Sequence, residues 1–336
     1  MKFLRYILFP VVPVYFFITW LRNWLYDLNI KSSKSYNLPV ICVGNLSVGG
    51  TGKSPMIEYL INVLKTEFKV ATLSRGYKRE TDGFQLANSE STVKTLGDEP
   101  FQFFNKFKDD IRVAVDANRQ NGIESLLNLT EAPNIILLDD AYQHRKVKAG
   151  FNILLTTYYK PYFNNIVLPT GDLREPKSGA KRADVIVVTK CPEQLLDADK
   201  QIFINKIKPT AKQEVFFSEI VYSDKVYSQN ASKLLKELIS QKFTLVTGIA
   251  NPMPLVNYLN SQHLKFNHLN YSDHYNFKAE DIIELQKEQL ILTTEKDFMR
   301  LKGYGVLKTK LFYLPITVKL DREKEFVSKL KNFAKR

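Results

Sequence analysis

The chain has 336 residues, 44% of them hydrophobic, 12% aromatic and 25% charged, so extended disorder, collagen-like repeats and a coiled coil are excluded for most of its length. Two cysteines, Cys42 and Cys191, cannot build a disulfide framework, and the four histidines (His144, His263, His268, His274) show no metal-ligand spacing, as expected of a reduced, cytoplasmic protein with two core cysteines. Lys and Arg number 48 against 35 Asp and Glu, and the resulting +13 suits three partners: nucleic acid, anionic headgroups or a phosphorylated substrate.

The first 35 residues carry Lys2, Arg5, Arg22, Lys31 and Lys34 against a single acid, Asp27. Between Arg5 and Arg22 runs an uncharged stretch of 16 residues, Tyr6 to Leu21, which is shorter than the ~17–20 residues a spanning helix needs. Pro10 and Pro13 are expected to break or kink a helix there. No small-x-small cleavage site follows, which argues against a secretory signal. Tyr15, Trp20, Trp24 and Tyr26 beside basic residues suit an anchor lying in the plane of a membrane surface, and a helix packed on the protein's own core is the alternative.

From about residue 38, short apolar runs alternate with amphipathic stretches, which predicts βα units and a mainly parallel sheet. The expected strands are Pro39–Val43, Val70–Ser74, Ile111–Val115, Asn134–Leu138, Phe151–Thr156, Val185–Thr189 and Val215–Ile220. Helices are expected after Ser54, near Pro100, at Asn118 and at Glu193, and residues 82–97 read as a loop or small flap. A second α/β segment follows, with strands Phe243–Thr247, Lys265–Asn270, Leu290–Thr294 and Leu311–Val318 and helices Met253–Ser261 and Lys278–Lys287. A last helix from Asp321 puts Phe326, Val327, Leu330 and Phe333 on one face, with seven basic residues between Lys319 and Arg336. Segments 213–222 and 309–319 are expected to pair as a connector that returns this helix to the first domain. The division is thus a membrane-associated segment 1–35, a nucleotide-binding core 36–220, a smaller α/β domain 221–318 and a basic terminal helix 319–336.

The strongest local signal is Val43-Gly44-Asn45-Leu46-Ser47-Val48-Gly49-Gly50-Thr51-Gly52-Lys53-Ser54-Pro55, between a strand and a helical pattern, as a phosphate-binding loop requires. Gly49, Gly50, Thr51 and Gly52 let backbone N–H groups turn onto phosphate oxygens. Lys53 supplies a cation, Ser54 a hydroxyl for Mg²⁺, and the helix N-terminus its dipole. The strict pattern has glycine where this chain has Ser47. Ile135-Ile136-Leu137-Leu138-Asp139-Asp140 ends a buried strand in two carboxylates, which read as metal partners. Val188-Thr189-Lys190-Cys191-Pro192 lacks the Asp of a guanine-recognition motif, so ATP is expected.

Gly97-Asp98-Glu99-Pro100 reads as a helix start, or as a base awaiting a partner that Tyr271-Ser272-Asp273-His274 can furnish. Ser74-Arg75-Gly76-Tyr77-Lys78-Arg79, Leu173-Arg174-Glu175-Pro176 and Thr293-Thr294-Glu295-Lys296-Asp297 are each ambiguous between a solvated edge and a phosphate cradle.

Taken together the motifs resemble one family, the tetraacyldisaccharide 4′-kinases of lipid A biosynthesis. The phosphate loop, S-R-G-Y, G-D-E-P, D-D-A-Y-Q-H, L-R-E-P, T-G-I-A-N-P, S-D-H and T-T-E-K-D occur in that family's order between residues 43 and 297. The resemblance implies a P-loop α/β kinase with a second, smaller α/β domain. It implies ATP- and Mg²⁺-dependent phosphorylation of the 4′-hydroxyl of tetraacyldisaccharide 1-phosphate by a peripheral or monotopic protein on the cytoplasmic face of the inner membrane. Asp98 would then take the hydroxyl proton, paired with His274, while Lys53 serves the nucleotide and Ser54, Asp139 and Asp140 the metal. Asn45, Arg75, Arg119, Gln143 and His144 are implied at the acceptor. Partners would be the lipid and the membrane surface, with no nucleic acid, and the protein would be a monomer. Ala141-Tyr142, Thr170, Asp172, Tyr271-Ser272 and Tyr275 depart from the family's common residues. The alternative is a P-loop enzyme acting on a different acceptor; no nucleic-acid-binding signature is visible.

Overall fold

Short runs rich in Val, Ile and Leu between polar turns become the strands of two sheets. The computed structural model describes residue 5 and residues 7–336; Lys2 and Tyr6 lie outside the described residues. In chain order the strands are β1 (Val40–Asn45), β2 (Val70–Ser74), β3 (Gln85–Leu86), β4 (Arg112–Val115), β5 (Ile135–Asp139), β6 (Phe151–Thr157), β7 (Val185–Thr189) and β8 (Glu214–Tyr222). They continue with β9 (Lys225–Tyr227), β10 (Ser232–Leu234), β11 (Phe243–Thr247), β12 (Phe266–Asn270), β13 (Ile291–Thr294), β14 (Leu311–Leu314) and β15 (Ile316–Leu320).

Nine of them form one sheet in the order β15-β8-β7-β6-β1-β5-β2-β4-β3, parallel from β8 to β4 and closed at both edges by an antiparallel strand. Because strand side chains alternate, Ile41 and Val43 of β1 face one layer while Val40 and Cys42 face the other. The first layer holds helices Lys53–Leu64, Asp98–Phe107 and Glu323–Ala334, and the second holds Arg119–Leu127 and Asp197–Ile207. β1 sits mid-sheet between β5 and β6, so the loop after it opens at the carboxyl edge, where α/β sheets bind ligands. The remaining six strands form a second sheet, β10-β9-β14-β13-β11-β12, with its own cores on both faces.

The expected single strand Leu311–Val318 is in fact two. Pro315 has no N–H for a ladder and breaks it, leaving β14 in the second sheet while β15 crosses to pair antiparallel with β8. That pairing is the expected connector, and it returns the last helix to the first core, where Phe326, Leu330 and Ala334 are buried beside Phe216. The helix expected at Glu193 begins at Asp197, and the helix Glu295–Leu301 was not anticipated. The break expected at the prolines moves to the helix start. Pro10 lies in a 3₁₀ turn, Phe9–Val11, and Pro13 in the first turn of the helix Val12–Asp27, where a missing N–H costs nothing. Among the described residues no helix is long and apolar enough to cross a membrane.

Candidate active site

The phosphate loop leaves β1 and enters the Lys53–Leu64 helix through Gly52, whose φ of 87° is the left-handed region that a side chain would strain. Its shape is fixed from within and from β7. Asn45 donates its side-chain amide to Thr51 Oγ1 at 2.8 Å, and the Thr189 hydroxyl donates to the Thr51 carbonyl at 2.8 Å. Lys190 donates to the Gly50 carbonyl at 2.7 Å. The Lys190 ammonium thus sits against the phosphate loop, and among the described residues no carboxylate lies within 4 Å of it. Burial, Lys296 and Lys53 together lower its pKa. A half-buried cation without a counter-charge, beside two other lysines, is a setting for an anion.

Opposite the loop, β5 ends in Asp139 and Asp140. Asp140 takes a left-handed backbone, pairs with Arg174 at 2.8 Å and lies 3.7 Å from the Lys53 ammonium. Asp139 is buried, accepts from the Ser74 hydroxyl at 3.2 Å, and leaves its Oδ1 without a partner. Burial, Asp140 and Glu99 push it up to about 6. Three more buried polar atoms gather on this edge without partners: Asn45 Oδ1, Arg119 Nε and His144 Nε2. Buried polar atoms are nearly always satisfied, so a group of such atoms around a glycine loop marks a ligand site.

Arg119 is buried and donates to the Asp116 carbonyl at 2.8 Å and toward that of Asp139 at 3.5 Å. Burial, Arg119, Lys146 and Arg75 lower His144 to about 4, so its imidazole is neutral at physiological pH. Gln143 donates to the Asn45 carbonyl at 2.8 Å and to Glu175 at 3.0 Å. Arg75 is exposed at the end of β2, and Ser54 is half-buried in the first turn of its helix, with no side-chain hydrogen bond to Asp139 or Asp140 among the described residues.

The second domain brings His274 to Asp98, with Nδ1 and Oδ2 2.8 Å apart. Asp98 is set at the start of its helix by Gly97, which has φ 90° and approaches the Tyr77 carbonyl so closely that a Cβ would lie 2.9 Å from it. The partner that sequence reasoning missed is Arg300. It grips Asp98 through Nη2, lies 3.0 Å from His274 Nδ1, and is itself held by buried Asp297 at 2.9 Å. Burial alone would raise Asp98, yet the hydrogen bonds from His274 and Arg300 outweigh it and hold the carboxyl well below the usual carboxylate range. The only sequence signal for Arg300 is the i,i+3 spacing of Asp297 and Arg300, which reads equally well as an ordinary helix ion pair. Lys296–Glu99 and Lys106–Glu295 join the same two helices across the domain boundary, and Lys106 also reaches Glu58 of the helix Lys53–Leu64.

A glycine loop opening a helix in mid-sheet, a lysine in its first turn and an acidic strand end beside it define a P-loop nucleotide-binding α/β protein. The particular family follows from comparison: the chain belongs to the tetraacyldisaccharide-1-P 4′-kinase (LpxK) family, whose description matches residues 4–335. It is 50% identical over 343 residues to the tetraacyldisaccharide 4′-kinase of Flavobacterium psychrophilum, covering 99% of this chain and 98% of that one. The enzyme of the same name from Flavobacterium johnsoniae is 49% identical over 319 residues, covering 94% and 93% of the two chains. In structure, the chain is similar to "apo" form LpxK from Aquifex aeolicus in complex with ATP, with TM-score 0.79, 29% identity and coverage of 98% and 99%.

Proposed function

We propose that this chain moves the γ-phosphate of ATP to the 4′-hydroxyl of tetraacyldisaccharide 1-phosphate between the phosphate loop of its first domain and the Asp98–His274 pair that spans both. The observation that carries the proposal is Asp98 itself: an ionised carboxylate held by two second-domain side chains, next in sequence to Glu99, whose charge bears on Asp139. Phosphoryl transfer has a loose transition state, so the protein's task is chiefly to position and to neutralise charge. Lys53 is placed for the transferring phosphate, and Lys190 is a second cation on the same loop. A carboxylate as acidic as Asp98 orients the acceptor hydroxyl by accepting its hydrogen bond, and takes the proton as the new O–P bond forms. His274 and Arg300 fix its rotamer. Arg119, neutral His144, Gln143, Asn45 and exposed Arg75 line the edge left for the sugar and its 1-phosphate.

The donor set fits Mg²⁺ as P-loop enzymes bind it, through one or two carboxylates and the nucleotide's own phosphates rather than a closed cage. The partnerless Oδ1 of Asp139 supports this. Asp139, Asp140 and Ser54 would hold the ion, which when bound neutralises charge on the phosphate oxygens.

Seating at a membrane surface is supported by the N-terminal helix. Its inward residues are Tyr15, Thr19 and Asn23, whereas Phe16, Phe17, Ile18, Trp20 and Trp24 are exposed, with the Trp20 and Trp24 rings stacked at 6.0 Å. An apolar face turned outward with tryptophans beside basic residues is what a headgroup boundary accepts. A peripheral location is supported by that seating, and the cytoplasmic face by the use of ATP as the phosphate donor.

Two variants separate the roles. Lys53→Ala is expected to weaken nucleotide binding and lower turnover by about 10²–10³-fold. Asp98→Asn is expected to bind nucleotide as the wild type does and to lose about 10²–10⁴-fold in kcat. Fluorescent-nucleotide titration beside steady-state kinetics reads both; an Asp98→Asn protein with undiminished kcat removes Asp98 from the reaction.

A further inference from the structure

Glu175 has no exposed surface, and a carboxylate buried that deeply persists only when its oxygens are matched. Its donors come from three separate stretches of chain. Arg182 meets both oxygens, at 2.8 and 2.9 Å, Gln143 donates to Oε1 at 3.0 Å, and Asn23 donates to Oε2. Two of the three reach further. Gln143 also donates to the carbonyl of Asn45, at the root of the phosphate loop, at 2.8 Å. Asn23 is a buried residue on the inner face of the N-terminal helix, whose outer face is exposed and apolar.

Arg174 runs a second link in parallel. Its carbonyl accepts from the Tyr15 hydroxyl of that helix at 2.9 Å, and its guanidinium holds Asp140 at 2.8 Å. Arg145 ties the helix from below, donating to the Asn23 carbonyl at 2.7 Å and pairing with Asp27 at 2.7 Å. Polar contacts therefore run from a helix with an outward apolar face to the Asn45 backbone, Asp140 and, next to it, Lys53. A helix whose only task is to hold on to lipid has no need of a buried carboxylate shared with the phosphate loop.

We infer that Asn23 is a positioning residue that couples seating of the N-terminal helix on a lipid surface to the order of the phosphate site. The coupling runs through Glu175 and Gln143 to the loop and, in parallel, through Tyr15 and Arg174 to Asp140. This rests on the membrane reading above. Embedding the outer face holds the Asn23–Glu175 contact in place, so a nucleotide arriving afterwards has less ordering left to supply and binds more tightly. Linkage is reciprocal: nucleotide must strengthen vesicle binding by the same factor.

The test uses the full chain, a non-hydrolysable ATP analogue with Mg²⁺, and phosphatidylglycerol/phosphatidylethanolamine vesicles free of lipid substrate. Vesicles are expected to tighten analogue binding to the wild type by about fivefold or more. Asn23→Leu keeps the branched four-atom outline, with bulkier ends, and drops the donor; it should sediment with vesicles as the wild type does while losing that enhancement, and Asn23→Gln should restore part of it. A thermal melt of each variant shows whether it is folded. An intact enhancement in Asn23→Leu overturns the coupling. Vesicles that bind the wild type without changing analogue affinity overturn it too, and leave the seating standing. Vesicles that fail to bind overturn seating and coupling together.

Discussion

Asp98 shows how neighbours fix the charge state of one carboxylate. His274 and Arg300 keep it ionised at any pH the cell reaches, and Asp297 in turn locks Arg300. A group whose folded pKa is depressed contributes stability that is present above its unfolded value, here 3.8, and lost as pH falls through the lower folded value. Arg300→Leu should therefore bring Asp98 back toward ordinary acidity, flatten the dependence of Tm on pH below about 5, and move the acid limb of the kcat profile upward. Arg300→Lys should keep most of the charge and lose the double contact. Unchanged profiles in a folded Arg300→Leu protein would show that Arg300 does not tune Asp98. The Asp98–His274 pairing was legible chiefly through the family's motif order, although G-D-E-P and S-D-H lie far apart in sequence. Arg300 was not, because a D-x-x-R spacing on a short helix carries no sign of what the arginine's other face meets.

At the scale of elements, the N-terminal helix inverts the usual pattern, with Thr19 and Asn23 buried while Phe17 and Ile18 face out at 56% and 60% exposure. Full burial of such a side chain is worth about 1.5–3 kcal/mol. Phe17→Ser with Ile18→Ser should thus weaken vesicle sedimentation by well over tenfold while leaving the melting temperature within about 2–4 °C of wild type. Equal sedimentation would deny this face to the membrane. The basic, aromatic composition of the segment was legible in the sequence, but its inner face was not. Asn23 and Glu175 are 152 residues apart, and neither type signals a buried pairing by itself. The single strand read across Leu311–Val318 failed for a local reason, since Pro315 divides an apolar run that composition alone keeps whole.

For the whole molecule, the parallel sheet, the mid-sheet phosphate loop and the second α/β unit were all readable, because hydrophobic period and turn residues are local properties. What no local property carries is how the domains meet. The Asp98–Phe107 helix lies against Glu295–Leu301, and across that seam run Asp98–Arg300, Glu99–Lys296 and the shared Lys106–Glu58–Glu295 cluster. These pairs tie Asp98 and the helix that follows the phosphate loop, through Glu58, to side chains of the second domain. The measurement that tests the proposed reaction most directly is a kinase assay with ATP, Mg²⁺ and tetraacyldisaccharide 1-phosphate in mixed micelles, read by product mass, with Asp98→Asn beside wild type. One added phosphate on the lipid, lost in the variant, is the expected result; ATP consumed with no phosphate on the lipid would contradict it.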